Sequence, residues 1–172
     1  ESRFRAWGNA YSRYLRDWLP PKSTARILDV ACGDGKLLYY LRQRGYQNLE
    51  GVDRSPEQLE LARQFNVSVT QDDVMSFMGR HGDTYDLITG IDFIEHLSKE
   101  EACHFLELSI GALRTGGRLV LQTPNADSPW GMSYRYGDFT HETCYNPSSL
   151  AQLLRLFGFR SIVAREAGPA VH

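Results

Sequence analysis

Short apolar runs alternate along this chain with stretches in which apolar residues recur every three or four positions, so strand and helix periods take turns. Tyr11, Tyr14, Leu15 and Trp18 stand at i, i+3, i+4 and i+7 and predict a leading helix that Pro20-Pro21 stops. Residues 26–30 (Arg-Ile-Leu-Asp-Val) read as a strand, 31–35 as a glycine turn, and 36–44 as a helix with Leu37, Leu38 and Leu41 on one side and Gly45 as its C-cap. The unit then repeats. Residues 49–53 form a strand, Ser55-Pro56-Glu57-Gln58 opens a helix carrying Leu59, Ala62 and Phe65, and 67–70 and 85–91 are two further strands. Ser98-Lys99-Glu100-Glu101 is a capping box for a helix running toward Leu113, which Thr115-Gly116-Gly117 ends before a strand at 118–123. Asn146-Pro147 opens a last helix with Leu150, Leu153, Leu154 and Phe157 at helical spacing, Gly158 closes it, and 159–164 reads as a sixth strand.

Strands alternating with helices of about ten residues predict right-handed crossovers, hence an α/β fold: a Rossmann-like, doubly wound, mostly parallel sheet with helices on both faces. Ligands of such sheets sit at the carboxyl ends of the strands. The 172 residues predict a single domain, 1–172, with 1–22 as a helical flap.

Composition narrows the function classes. The net charge of −2 argues against a molecule basic all over, although residues 1–26 carry six basic against two acidic groups and the remainder 13 against 19. A nucleic-acid partner is therefore disfavoured, and the basic start reads as a solvated helix face or as a flap over an acidic ligand. Three widely spaced cysteines without a C-x-x-C pair suggest neither a disulfide framework nor a thiolate zinc site, and fit a reducing, cytoplasmic setting. No apolar run approaches the length of a membrane span. The opening Glu1-Ser2-Arg3, without Met or an apolar segment, reads as a trimmed start and no signal peptide.

The turn after the first strand presents backbone N–H groups and a helix N-terminus to an anion. The dinucleotide fingerprint G-x-G-x-x-G fails there, because Leu38 stands where its third glycine belongs, so hydride transfer is disfavoured. Residues 27–35, Ile-Leu-Asp-Val-Ala-Cys-Gly-Asp-Gly, instead resemble motif I of the class I S-adenosylmethionine-dependent methyltransferases, with Ala31 in place of the first glycine. An alanine there resists the positive φ that glycine adopts freely. Gly51-Val52-Asp53-Arg54-Ser55 is similar to motif II, Gln71-Asp72-Asp73-Val74 stands where the family contacts adenine, and 85–91 resembles motif IV. The segment 113–125 is similar to the family's L-x-P-G-G-x-L-x-x-x-T-P-N stretch. The resemblance implies S-adenosylmethionine as cofactor, bound by Asp29, Ala31, Cys32, Gly33, Asp53, Arg54, Asp73, Val74 and Gly90, with Asp53 on the ribose hydroxyls and Asp73 on the adenine amine. It also implies a seven-stranded sheet whose last, antiparallel strand this chain is expected to lack, leaving a bare sheet edge or one that a partner covers.

Asp92-Phe93-Ile94-Glu95-His96 leaves the fourth strand beside the expected methyl group. As a helix it would bring Asp92, Glu95 and His96 to one face. The segment is similar to the Glu-x-x-Glu-His of ubiquinone-pathway and small-RNA 2′-O-methyltransferases, which implies a divalent cation such as Mg²⁺ on Asp92, Glu95, His96 and His141, the last from Asp138-Phe139-Thr140-His141. The competing reading makes Glu95 a helix-start acid and His96 a packed residue. His141 and His96 are the candidate catalytic bases. The 22-residue loop 125–146 holds Trp130, Tyr134, Tyr136, Phe139 and Tyr145, either an acceptor lid of stacking rings or a small satellite core.

The resemblance implies an S-adenosylmethionine-dependent methyltransferase, expected to act on a hydroxyl of a small molecule, with a sugar or glycolipid ranked first. RNA 2′-O-methylation and a non-catalytic cofactor-binding module are the alternatives. The sequence leaves the oligomeric state open.

Overall fold

The computed structural model describes Gly8 and residues 10–167. Five strands form one all-parallel sheet in the order β3-β2-β1-β4-β5: β1 Arg26–Val30, β2 Asn48–Asp53, β3 Ser68–Gln71, β4 Tyr85–Ile91 and β5 Leu113–Gln122. Between the strands run α1 Lys36–Gln43, α2 Pro56–Arg63, α3 Val74–Met78 and α4 Lys99–Ala112, and α5 Gly131–Gly137 and α6 Pro147–Leu156 follow β5. Alternation along β1 and β4 divides the core. Ile27 and Leu87 turn to a face covered by Leu37, Leu38 and Leu41 of α1 and Leu59 of α2. Leu28 and Ile88 turn to the opposite face, covered by Phe77 of α3 and Phe105 and Leu106 of α4, with Leu150 and Leu153 of α6 packed alongside.

Side-chain caps set where most of these helices begin. Ser55, Asp73, Ser98 and Asn146 each accept a hydrogen bond from a backbone N–H in the first turn, and Ser98 with Glu101 closes the expected capping box. The short α3 follows from the Asp73 cap and carries too little periodic pattern to read from sequence.

Three expectations need correction. The leading helix is shorter than its period suggests: residues 10–14 are helical, 15–18 form a turn, and Asp17 takes φ +69°. Tyr11, Tyr14 and Leu15 are nonetheless buried against α1; residues 1–7 and 9 of the expected flap lie outside the described residues. Thr115-Gly116-Gly117 does not end α4: the helix stops at Ala112, and the strand starts at Leu113 and absorbs these residues as a bulge, Tyr85 pairing with Leu113 and Leu87 with Arg118. Finally, 159–164 is irregular and not a sixth strand. Gly158 at φ +91° turns the chain out of α6, and Arg165 then hydrogen-bonds the carbonyls of Tyr14 and Arg16 and stacks 3.8 Å over the Trp18 ring, so this segment ties to the leading helix.

The glycine turn between β1 and α1 depends on close approach. Gly35 has φ +76°, and a Cβ there would stand 2.9 Å from Cβ and 3.2 Å from Cα of Ala62 on α2; Gly33, at φ +52°, has open space around the same point. Gly35→Ala is expected to destabilise the fold by about 2–4 kcal/mol, adding steric overlap to the left-handed backbone cost, and Gly33→Ala by only about 1 kcal/mol. Urea unfolding of the two variants side by side checks this, and equal losses would refute the packing account.

Candidate active site

The carboxyl ends of β1, β2, β3 and β4 bring the motif residues to one edge of the sheet. Asp53, at the tip of β2, accepts hydrogen bonds from Gly33 N–H (2.8 Å) through one oxygen and from Ser55 N–H (2.8 Å) through the other, so its carboxylate locks the glycine turn to the neighbouring strand. Each oxygen keeps a lone pair for a further donor. Beside it, Arg54 pairs with Asp73, which also caps α3 through Ser76 N–H (2.9 Å), while Asp72 pairs with Arg80. Val74 is buried beneath, and Gly90 on β4 is hemmed in by Leu121 and Val30.

Asp29 ends in the interior. It is 3 % exposed and accepts a 2.7 Å hydrogen bond from the Thr89 hydroxyl. Burial pushes its pKa up to about 7, with the Thr89 bond lowering it and the nearby Asp53 raising it. It lines a cavity of about 140 Å³ together with Tyr11, Ala31, Cys32, Asp34 and Asp92. That volume is smaller than whole ligand pockets, which run from roughly 300 Å³ upward. Two backbone positions of this wall are unusual: Ala31 does take a positive φ, +51°, despite its side chain, and Asp92 has φ +49°. Lys36 forms a 2.6 Å ion pair with Asp34 at the rim. The Cys32 thiol is buried with its pKa raised by desolvation and by Asp29 and Asp53, so it is no nucleophile.

The left-handed turn at Asp92 prevents a helix from running through 92–96. Only Ile94–His96 is helical, as a single 3₁₀ turn. Asp92 therefore faces the cavity near Asp29, its carboxyl raised by burial, and does not join the residues that could share an ion. Those are Glu95, His96 and His141, which each offer one donor atom within 4.8 Å of the others. The sequence-based set of four thus becomes three.

Backbone bonds bring His141 to this place from the far end of the loop. The N–H groups of Glu142 (2.9 Å) and Thr143 (3.0 Å) both donate to the carbonyl of Glu95, and the Thr143 hydroxyl donates to the carbonyls of Ile94 and Leu97. Arg135 of α5 donates to the carbonyls of His141 and Glu142. The imidazoles of His96 and His141 lie with centroids 4.8 Å apart. Glu95 is 2 % exposed, and neither carboxylate oxygen has a hydrogen-bond partner among the described residues. Burial raises its pKa to about 7; its own backbone N–H and the Thr123 hydroxyl pull the other way without reaching hydrogen-bond geometry, and Asp92 adds to the rise. A helix-start acid would have N–H partners, so the orphaned oxygens favour a ligand role.

A family profile described as a methyltransferase domain matches residues 1–164. The chain belongs to the class I S-adenosylmethionine-dependent methyltransferase family. It is 30% identical over 131 residues to a small RNA 2′-O-methyltransferase of Rattus norvegicus, covering 67% of this chain and 33% of that protein. With a ubiquinone biosynthesis O-methyltransferase of Aeromonas salmonicida it shares 29% identity over 119 residues, 63% of this chain and 49% of that protein. The chain thus spans between a third and a half of the length of these two relatives. A crystal structure of an S-adenosylmethionine-dependent methyltransferase from Archaeoglobus fulgidus superposes with a TM-score of 0.82 at 24% identity, over 92% of this chain and 70% of that one, which shows a shared fold.

In this methyltransferase domain the expected cofactor residues Asp29, Ala31, Cys32, Gly33, Asp53, Arg54, Asp73, Val74 and Gly90 do gather along one edge. Tyr11 and Lys36 also line the cavity, and sequence reasoning missed both. Tyr11 looked like one more apolar position of the leading helix, and only tertiary packing directs it to the cavity. Thr123, whose hydroxyl is buried without a partner among the described residues, carries no sequence signal either. The loop 125–146 is closed at its base by the Ala126 N–H to Tyr145 carbonyl bond (2.8 Å) and by Asn146 on Asp127 (3.0 Å). Tyr145 alone of its five rings is buried; Trp130, Tyr134, Tyr136 and Phe139 are exposed, so the satellite-core reading of these rings fails. Among the described residues no helix is long and apolar enough to cross a membrane.

Proposed function

We propose that this domain transfers the methyl group of S-adenosylmethionine to a hydroxyl oxygen of a small-molecule acceptor, with a sugar or glycolipid ranked first, beneath the loop 125–146. The observation that carries this reading is the buried, unpartnered carboxylate of Glu95 beside two imidazoles at the mouth of the cofactor edge. Glu95, His96 and His141 would hold a divalent cation, whose chemistry there is to gather acceptor oxygens and lower the pKa of a hydroxyl. Two nitrogens and one carboxylate suit Mn²⁺ or a later transition ion better than Mg²⁺, which favours an all-oxygen shell.

The chain's own residues supply the rest. Asp53 and the turn it fixes would hold the ribose, and the cavity lined by Asp29 and Asp34 would take the amino-acid end of the cofactor. Bound there, S-adenosylmethionine would supply an activated methyl group for the acceptor oxygen and leave as the neutral thioether; the hydroxyl proton would pass to the free Nε2 of His141 or His96 where no ion occupies it, and to solvent from an ion-held hydroxyl otherwise. Alignment contributes most of the acceleration, because the sulfonium is already an activated donor. The exposed rings of the loop would stack on the acceptor.

RNA 2′-O-methylation is the second reading, favoured by one observation: the small RNA 2′-O-methyltransferase is among the relatives at 30% identity. Titration calorimetry with S-adenosylmethionine, with its demethylated product and with Mn²⁺ alone tests the proposal. Cofactor and product are expected to bind with or without chelator and to bind at least tenfold more weakly to Asp53→Ala, while Mn²⁺ binds independently. Failure of both nucleosides to bind would overturn the methyltransferase reading, and failure of Mn²⁺ alone would overturn the metal-held acceptor.

A further inference from the structure

The two imidazoles of the cluster are held by their outer nitrogens. His141 Nδ1 lies 2.7 Å from the carbonyl oxygen of Tyr134. A carbonyl only accepts, so Nδ1 of His141 must carry the proton and its Nε2 the lone pair. His96 Nδ1 is 2.9 Å from the Thr140 hydroxyl and 3.3 Å from the Thr140 carbonyl. A hydroxyl by itself can serve a histidine of either tautomer. Here its single proton is committed elsewhere: the Thr140 hydroxyl donates to Asp138 Oδ1 at 2.7 Å, and the Thr140 N–H donates to the same oxygen at 2.9 Å. These two bonds also hold the Asp138 carboxyl below its usual range, so it stays an acceptor. The hydroxyl is left with lone pairs for His96, and His96 Nδ1 must donate.

We propose that Thr140, oriented by Asp138, is a positioning residue that fixes His96 as the Nδ1–H tautomer, so that both histidines of the cluster keep an unprotonated Nε2 for a bound ion or an acceptor proton. The relay Asp138–Thr140–His96 has the logic of the carboxylate partners that orient ligating histidines, with a hydroxyl interposed. It also connects the loop to the 3₁₀ turn across 44 residues of sequence. Neither Asp138 nor Thr140 touches the reacting atoms in this arrangement; their effect passes through His96. The inference deepens the reading of the cluster as an ion site, and rests on that reading only for its consequence for ion affinity.

The test uses metal-free protein carrying ¹⁵N-histidine, with ring tautomers read from multiple-bond ¹H–¹⁵N spectra at a pH where the rings are neutral. His96 and His141 are both expected in the Nδ1–H form. In Thr140→Val the His96 signals should move toward a mixture of tautomers while His141 is unchanged, and Thr140→Ser should restore the original pattern. Mn²⁺ affinity by calorimetry should fall about tenfold in Thr140→Val and recover in Thr140→Ser, the low end of the range for such partners because the Thr140 carbonyl remains. An Nε2–H tautomer of His96 in the unaltered protein would overturn the proposal, as would a Thr140→Val variant with unchanged tautomers. Should the tautomers behave as expected while the unaltered protein ignores Mn²⁺, the positioning role stands and the metal reading falls.

Discussion

Glu95→Met is expected to leave the metal-free protein more stable by about 1–3 kcal/mol while abolishing Mn²⁺ binding. Side chains buried to this degree are ordinarily apolar or fully hydrogen-bonded, and here both carboxylate oxygens lie in the interior with no donor on either among the described residues. Desolvating such a group costs more than the fold recovers, and a methionine of similar length fills the space without that cost. Guanidinium unfolding in the presence of a chelator at pH 8 measures the first effect, and Mn²⁺ calorimetry the second. A loss of more than about 1 kcal/mol would mean that the carboxylate serves the fold, and would remove the observation on which the proposed site rests.

The second large effect concerns pH. Asp29 has an ordinary pKa of 3.8 that burial lifts to about 7 in the fold. Between those values the unfolded chain has released the proton and the folded chain keeps it, so stability falls as pH rises through roughly 4 to 7 and remains low above. At about 1.4 kcal/mol per pH unit the span is up to about 4 kcal/mol. Asp29→Asn has no such proton to lose. The variant should flatten this limb of the stability curve and be more stable by about 2–4 kcal/mol at pH 8, since an amide oxygen can still accept from the Thr89 hydroxyl. Its affinity for the demethylated cofactor is expected to fall at least tenfold. Parallel pH–stability curves for the two proteins would show that Asp29 titrates normally and that its burial is relieved in some other way.

The fold was legible wherever local signals and tertiary packing agree. Ser55, Ser98 and Asn146 announce their helices by hydrogen-bonding chemistry that works within four residues, and β1 and β4 announce themselves as apolar runs because a parallel sheet buries both faces. The leading helix misled for the opposite reason: Leu15 and Trp18 keep a helical period, but they pack from a turn whose shape Asp17 sets at positive φ. Residues 159–164 have the composition of an edge strand, yet Arg165 finds the carbonyls of Tyr14 and Arg16, contacts some 150 positions away that no local pattern encodes.

The candidate site divides the same way. Motif I and Asp53 were readable because a glycine turn and a strand-end acid have a fixed spacing. The Asp92-x-x-Glu95-His96 spacing brings three ligands together only on a helix, and the structure substitutes a left-handed residue and one 3₁₀ turn. Glu95 and His96 survive that change because they lie within the turn, and Asp92 does not. The pairing of His141 with His96 depends on the Glu142 and Thr143 N–H bonds to the Glu95 carbonyl and on the Thr143 hydroxyl beside the Ile94 and Leu97 carbonyls, which sequence alone leaves unwritten.

The stapling of the loop onto the 3₁₀ turn has a consequence in polymer terms. His96 and Thr140 are 44 residues apart, so an ion shared by Glu95, His96 and His141 would act as a reversible cross-link closing a loop of that size. For a covalent bridge, loop-closure entropy at this length is worth about 4 kcal/mol. An ion bound there would therefore draw much of its effect from the unfolded chain, whose freedom it removes, and the span from β4 to α6 would become its most protected part.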